Sequence, residues 1–272
     1  MPETAERTLP DTRFAEIDGQ RIEYRWIGLH EIGRPVLVFL HEGLGCASLW
    51  RSLPDRVARA TDCCALVYSR AGYGNSAAIE LPRRPDFMHR EALDRLGPLL
   101  DHFGIQSAIL IGHSDGGSIA LIHAGSDAAG ERIQGVATIA AHVFNEDICR
   151  QGIEAARAAY AETDLRERLA RYHGDNVDIA FRGWNDVWLS DDFRDWNIEE
   201  YLPRIEVPVL AIQGSKDEYG SEAQVRAIVS STAGEAEAWM VEDCGHSPHL
   251  DKRDEVAARL ARFVTELIEG KD

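Results

Sequence analysis

Hydrophobic residues along this chain of 272 residues are concentrated in short runs separated by longer, more polar stretches. The runs lie at positions 35–40, 63–68, 108–111, 136–140 and 207–213. They are rich in β-branched residues and show no strict alternation, which is typical of parallel strands buried on both faces. The stretches between them can form helices, so the pattern predicts an α/β fold with a mostly parallel central sheet flanked by helices.

Two segments near the amino terminus, 13–17 and 20–26, flank the pair Asp18-Gly19. This pair accepts the positive φ angles of a tight hairpin turn. We therefore expect two antiparallel strands at the start of the sheet, and a last strand at 238–241.

Residues 141–204 differ from the rest of the chain because strand-like runs are absent there. Positions 153–172 carry alanine, arginine, glutamate and leucine at helical spacing. Connections in α/β folds are usually about 2 to 6 residues plus one helix, so this longer segment predicts an inserted helical lid. The core domain would then consist of residues 1–140 and 205–272.

The predicted lid is rich in aromatic residues, namely Phe181, Trp184, Trp188, Phe193 and Trp196. We predict that Trp184 and Trp188 bind substrate by lining a pocket for an apolar or aromatic acyl group. The alternative is that these rings only pack the lid helices against the core, which is the commoner role of an aromatic cluster.

Composition and charge narrow the function classes. Hydrophobic residues make up 44% and charged residues 28%, as in globular proteins, and 46 acidic against 29 basic side chains give a net charge of -17. This charge repels polyphosphates and anionic headgroups, so we expect neither nucleic acid nor a membrane as a partner, although Arg70 and Arg182 could attract a local anionic group.

Two further patterns concern location and thiols. No run reaches the roughly 18 apolar residues of a membrane span, and positions 1–11 lack the apolar core of a signal peptide, which predicts a cytoplasmic protein. The five cysteines show no paired metal-binding spacing, so we interpret them as reduced structural thiols and expect no metal.

The candidate chemistry begins at Gly112-His113-Ser114-Asp115-Gly116, a G-x-S-x-G pentapeptide between a predicted strand and a run that can form a helix. Glycines on both sides of the serine permit a sharp turn from strand to helix, and this turn exposes the serine hydroxyl. The helix amino terminus also presents free N–H groups to a reacting oxygen. The pattern predicts Ser114 as a nucleophile.

A serine hydroxyl needs a base to remove its proton, and the base needs an orienting acid. Asp217 follows the predicted strand 207–213, at the strand end where such sheets build their sites. His246 lies in the loop after the predicted last strand and follows a glycine. We predict Asp217 as the acid and His246 as the base, with Glu218 and His249 as the alternatives.

The order Ser114, Asp217, His246 resembles the α/β-hydrolase superfamily over nearly the whole chain. The segment His41-Glu42-Gly43-Leu44-Gly45 is similar to the oxyanion loop of that family, with Glu42 in place of a glycine and Leu44 in place of a proline. The resemblance implies that the backbone N–H groups of Gly43 and Asp115 hold the oxyanion, with Leu44 as an alternative to Gly43. The turn at 70–76 is also similar to a structural turn of the family.

The resemblance also separates subfamilies. Haloalkane dehalogenases and epoxide hydrolases attack with aspartate, and Ser114 at that position excludes both classes. Proline iminopeptidases usually have tryptophan where Asp115 stands.

We expect a carboxylesterase that cleaves a small ester, thioester or lactone through an acyl-enzyme, without any cofactor. The alternatives are a C–C bond hydrolase of the meta-cleavage type, a cofactor-free oxygen-using relative, or a ligand-binding protein that retains the triad. The expected partner is a small-molecule substrate, and the sequence does not determine the oligomeric state.

Overall fold

A computed structural model describes residues 12–29, 31 and 33–270. Positions 1–11, on which the prediction of no signal peptide rests, lie outside the described residues. Eight strands form one sheet: β1 (Arg13–Ile17), β2 (Gln20–Ile27), β3 (Val36–Leu40), β4 (Ala65–Tyr68), β5 (Ala108–His113), β6 (Ile133–Ile139), β7 (Val209–Gly214) and β8 (Ala236–Val241).

The strand order in the sheet is β1-β2-β4-β3-β5-β6-β7-β8. Strands β1 and β2 form an antiparallel hairpin whose turn, Asp18-Gly19, has positive φ at both residues, and β2 pairs antiparallel with β4. All remaining pairs are parallel. The predicted α/β fold with a mostly parallel sheet is confirmed, and the predicted strand ends differ from the observed ones by up to three residues.

Ten α-helices accompany the sheet within the described residues: α1 (Leu53–Thr61), α2 (Phe87–Arg90), α3 (Leu96–His102), α4 (Asp115–Ala124), α5 (Asp147–Glu162), α6 (Leu165–His173), α7 (Val177–Leu189), α8 (Glu222–Ser231), α9 (Pro248–Asp251) and α10 (Arg253–Glu269). Helices α1 and α10 pack on one face of the sheet. Helices α3, α4 and α8 pack on the other face, where most of the buried apolar residues lie. Among the described residues, no helix has the length and apolar character needed to cross a bilayer.

The connection between β6 and β7 contains helices α5, α6 and α7. The stretch 153–172, which has helical spacing in the sequence, is divided between α5 and α6. The break occurs at Thr163, whose hydroxyl donates to the carbonyl of Ala159 (2.6 Å) and accepts from the N–H of Leu165 (3.2 Å). These side-chain bonds compete with the backbone bonds of a continuous helix and so favour a helix end here.

Candidate active site

Ser114 occupies the sharp turn between β5 and α4. Its φ of 50° and ψ of -119° lie in a region that residues other than glycine rarely adopt. The turn is held by hydrogen bonds: the Ser114 N–H donates to Ile139 (2.8 Å), and its carbonyl accepts from Gly117 (2.8 Å) and Ser118 (3.0 Å). The strained backbone at the carboxyl end of the sheet is therefore fixed on both sides of the serine.

The glycines around Ser114 are required by close contacts between backbone segments. A Cβ at Gly116 would overlap the carbonyl of Leu40 at the end of β3, and a Cβ at Gly112 would overlap the carbonyl of Gly116. A Cβ at Gly117 would lie 2.7 Å from that of Ala141. Because these positions accept no side chain, α4 packs directly against the ends of β3 and β6.

Asp217 and His246 meet at the ends of the adjacent strands β7 and β8, which pair up to Gly214 and Val241. The His246 Nδ1 lies 2.8 Å and 3.0 Å from the two carboxylate oxygens of Asp217. The Asp217 side chain is 1% exposed and that of His246 is 13% exposed. The imidazole therefore has its orienting carboxylate inside the protein while its other edge stays accessible.

The charge state of Asp217 follows from its partners. Burial by itself raises the pKa of Asp217, but the hydrogen bonds from His246 and from the N–H of Tyr219 (2.9 Å) outweigh it and hold the pKa below its usual value. An ionised carboxylate can only accept, so the His246 Nδ1 carries the proton. In the neutral imidazole, the lone pair then lies on Nε2, where a general base requires it.

Ser114 and His246 line the same cavity, which has a volume of about 250 Å³. No hydrogen bond joins the Ser114 hydroxyl to His246 among those that the described residues form. The wall consists of Glu42, Gly43, Leu44, His113, Ser114, His142, Cys149, Ile153, Trp184, Trp188, Glu218, Tyr219, His246 and Ser247. The wall includes the carboxylates of Glu42 and Glu218, and none of these described lining residues is a lysine or arginine.

The predicted oxyanion donors flank the serine. Strand β3 is paired with β5 as far as Leu40 and Gly112, which brings the loop 41–45 beside the turn at Ser114. Within the described chain, the N–H groups of Gly43, Leu44 and Asp115 donate to no protein acceptor. A Cβ at Gly43 would overlap the indole of Trp184, so this loop lies directly under α7.

Arg70 fixes the loop that contains Gly43. Its guanidinium donates to the carbonyls of His41 (2.9 Å) and Glu42 (3.1 Å), and its N–H donates to His41 Nε2 (3.0 Å). Burial lowers the pKa of His41 well below its usual value, so the ring is neutral and its Nδ1–H donates to the Glu42 carbonyl (2.7 Å). Arg70 is buried beneath the loop, and Arg182 is exposed, so neither lines the cavity.

The side chain of Asp115 points away from the cavity into the protein. It is fully buried, accepts from the Trp188 indole N–H (3.2 Å) and lies 4.0 Å from the Arg70 guanidinium. Burial raises the pKa of Asp115 above its usual value, against the opposing effect of Arg70 and Arg83. The residue after the serine thus connects α4 to α7 through its side chain.

Glu218 and His249, the alternative acid and base predicted from the sequence, make other contacts. The Glu218 carboxylate accepts from the backbone N–H of His246 (3.2 Å) and is not bonded to its imidazole. His249 packs against Trp50 and His113, with ring centroids 5.2 Å and 4.6 Å away. Asp217 is thus the carboxylate that contacts the His246 ring, and His249 does not line the cavity.

Sequence reasoning missed two histidines of the cavity wall. His113 precedes Ser114, and His142 follows the end of β6; position at a strand end is the signal that could have found both. The His142 ring lies 5.8 Å from that of His246, and its Nε2–H donates to the Tyr219 carbonyl (3.1 Å). Burial and the neighbouring His246 lower the pKa of His142 to about 4, so this ring is neutral.

Helix α7 brings Trp184 and Trp188 to the cavity wall, whereas Phe181, Phe193 and Trp196 do not line it. Trp188 also packs against Phe193 and Trp196, with ring centroids 4.6 Å and 5.5 Å apart. Trp184 and Trp188 therefore face the cavity, and Phe193 and Trp196 pack behind Trp188. Among the described residues, no group of histidine, cysteine or acidic side chains is placed to hold a metal ion.

Comparison with known proteins agrees with this geometry. The model of the alpha/beta hydrolase family matches residues 37–259, so the chain belongs to the α/β-hydrolase family. A curated relative, the dihydrolipoyllysine-residue acetyltransferase component of the acetoin cleaving system of Pseudomonas putida, is 25% identical over 94% of this chain and 70% of its own length.

Solved structures show the same fold. The proline iminopeptidase of Mycobacterium smegmatis superposes with a TM-score of 0.71 at 18% identity, covering 96% of this chain and all of its own. The enol-lactonase of Burkholderia xenovorans LB400 superposes with a TM-score of 0.68 at 23% identity, covering 93% of this chain and all of its own. The fold and family support a hydrolase, and identities this low carry no substrate across.

Proposed function

We propose that this protein is a serine carboxylesterase that cleaves a small ester, thioester or lactone through an acyl-enzyme. The observation that carries the proposal is the contact of His246 with both oxygens of buried Asp217, beside a serine in a strained turn on the same cavity. Membership of the α/β-hydrolase family supports a hydrolytic reaction.

In the first step, Nε2 of His246 takes the proton of Ser114 as the hydroxyl attacks the substrate carbonyl. The N–H groups of Gly43 and Asp115 donate to the oxyanion of the tetrahedral intermediate, which they stabilise at the amino terminus of α4. The intermediate collapses as His246 returns the proton to the leaving alcohol or thiol. Water then attacks the acyl-enzyme by the same route and releases the acid.

The cavity favours small, uncharged acyl groups. Its volume of about 250 Å³ is just below the usual range of ligand pockets, and its wall contains Glu42 and Glu218 without a lysine or arginine. Segment 141–204, which supplies Trp184 and Trp188, acts in this proposal as the lid that selects the acyl group.

The direct test is hydrolysis of p-nitrophenyl esters by the wild type and Ser114→Ala. The alanine variant should lose on the order of 10⁴-fold in kcat with its fold intact, because the covalent route is removed. Ser126→Ala is the matched control, since Ser126 caps a carbonyl at the end of α4 outside the cavity. A neutral phosphonate should label Ser114.

Other outcomes would assign the protein elsewhere. If Ser114→Ala keeps more than about a tenth of the wild-type rate at equal folding, the nucleophile is wrong. Cleavage of a yellow dienone without ester turnover would identify a C–C bond hydrolase, and binding without steady turnover would identify a ligand-binding protein.

A further inference from the structure

Glu42 stands where similar oxyanion loops have glycine, and its carboxylate has a specific partner. An oxygen of Glu42 lies 3.3 Å from Nδ1 of His113, the residue before the nucleophile. The His113 side chain is 1% exposed, and that of Glu42 is 26% exposed where it lines the cavity. A Cβ at Gly45 would overlap the Glu42 carboxylate, so the glycine two positions after Gly43 leaves room for this contact.

The other nitrogen of His113 determines the protonation of the ring. His113 Nε2 lies 2.9 Å from the backbone carbonyl of His246, which can only accept, so Nε2 carries a proton. The Nδ1 atom makes no hydrogen bond of good geometry with Glu42, so the 3.3 Å contact is an electrostatic one. It is attractive when His113 is doubly protonated beside an ionised Glu42, whereas a neutral ring would place a lone pair near the carboxylate.

The electrostatic surroundings agree with this ion pair. Burial lowers the pKa of His113, but Glu42 and the His246 carbonyl outweigh it and raise the pKa above its usual value. Burial raises the pKa of Glu42, and His113 outweighs it in the opposite direction. The other titratable groups around the ring are His246, the distant carboxylate of Asp217, and His249, whose own pKa burial lowers well below its usual value.

This ion pair connects two loops of the site. Glu42 directly precedes Gly43, the proposed oxyanion donor. His113 donates to the backbone carbonyl of His246, and the backbone N–H of His246 donates to the Glu218 carboxylate (3.2 Å). The backbone of the base is thus bonded on both sides. An unpaired negative charge on Glu42 would also oppose the developing oxyanion beside it, and the charge on His113 neutralises it.

We propose that Glu42 and His113 are positioning residues that act as one unit, in which the ion pair fixes the His246 loop against the oxyanion loop and cancels the Glu42 charge beside the oxyanion. The inference rests on the proposed function of Ser114 and His246. Neither residue exchanges a proton with substrate in this scheme.

A double-mutant cycle in kcat with p-nitrophenyl acetate tests the unit. His113→Gln should lower kcat by about 100-fold, because it leaves a buried carboxylate unpaired beside the oxyanion, whereas Glu42→Gln should cost less than about 10-fold. The double variant should recover to within about threefold of Glu42→Gln, since interacting residues are not additive. KM should change less than kcat in each variant.

If the two residues had a merely structural role, the losses of kcat in the two single variants would multiply in the double variant. Losses that multiply, so that the double variant is worse than His113→Gln, would overturn the proposal. Asp55→Asn is the control, because it breaks the Arg25–Asp55 ion pair (3.1 Å) outside the cavity and should lower the melting temperature without changing kcat.

Imidazole ¹⁵N NMR gives an independent readout that needs no turnover. Both ring nitrogens of His113 should be protonated at pH 7 in the wild type, and Glu42→Gln should convert the ring to the neutral form. A neutral His113 in the wild type would overturn the proposal even if His113→Gln does not fold. Wild-type protein without esterase activity but with a charged His113 would instead reject the proposed function and retain the ion pair.

Discussion

Helix α4 begins directly after Ser114 of the cavity wall, and helix α5 supplies wall residues itself, but the two helices are held in different ways. Nine of the ten residues of α4 are buried, whereas only two of the sixteen residues of α5 are, Cys149 and Ile153. Both of these line the cavity. Helix α4 is thus enclosed by the sheet and its neighbours, while α5 contributes its buried side chains to the cavity wall.

This difference in burial between α4 and α5 predicts two kinds of mutational effect. Substitutions in α4 act on packed backbone and should change folding, because close-packed interiors accommodate little added volume. Substitutions on α5 to α7 alter a wall built by side chains, so they should change substrate selection at smaller cost to stability. The following variants test this division.

The largest effect is expected for Gly116→Ala at the start of α4. Its methyl group would overlap the backbone of Leu40, which cannot move without displacing β3, so we expect a loss of more than about 4 kcal/mol or failure to fold. Gly97→Ala in α3 is the control, since its Cβ meets no atom within 4 Å and should change stability by less than about 1 kcal/mol. Urea denaturation measures both, and equal stabilities would contradict the close-packing argument.

The second largest effect is expected for the pH dependence of stability, through His142, which follows the end of β6. Its ring has a pKa of about 4 in the folded protein against 6.5 ordinarily, so unfolding takes up a proton between these values. The free energy of unfolding should therefore fall as pH decreases from 6.5 to about 4, by on the order of 3 kcal/mol from this group.

His142→Gln removes this contribution, so urea denaturation at several pH values should show a flatter pH dependence for the variant. Identical slopes for the two proteins would show that the ring is already protonated or accessible in the folded state.

A third effect concerns the cavity wall. Trp184→Ala should enlarge the cavity next to Gly43 and lower the ratio of kcat/KM for aromatic to acetyl esters. The expected fall in this ratio corresponds to about 1 to 3 kcal/mol of transition-state stabilisation. Trp196→Ala is matched to it, because both side chains are 7% exposed but Trp196 packs behind the wall. It should lower the melting temperature and leave the ester ratio unchanged. An unchanged ratio in Trp184→Ala as well would reject the substrate-binding role.

The smallest effect is expected for Asp178→Asn within the helical segment. The Asp178 carboxylate joins α7 to Arg166 of α6 (2.6 Å) and Tyr160 of α5 (2.7 Å), and these bonds lower its pKa to about 2. The pair is half exposed, so its loss should cost less than about 1 kcal/mol.

Because the pKa is lowered, the contribution of Asp178 is present above about pH 4 and disappears as pH falls toward 2. The difference in melting temperature between wild type and variant should shrink from pH 7 to pH 3. Acetyl ester turnover should not change, and a large loss of activity would show that the helices transmit strain to the site.

The sequence by itself determined the fold class and the candidate residues that lie at strand ends. Buried strands need short continuous apolar runs, and a sharp turn needs glycines around Ser114, so both are visible as local patterns. Asp217 and His246 could be predicted because parallel strands bring their carboxyl ends to one edge. These features depend on the backbone, which the local sequence largely specifies.

Only the tertiary structure decided which side chains meet. Glu42 contacts His113, and the Trp188 indole donates to Asp115, so both contacts join residues that are distant in the chain. His142 is neutral because it is buried next to His246, which is also distant in the chain. The division between Trp184 and Trp188 in the cavity wall and Phe193 and Trp196 behind it has the same origin. Such contacts depend on how the helices dock on the sheet, and no local periodicity encodes that arrangement.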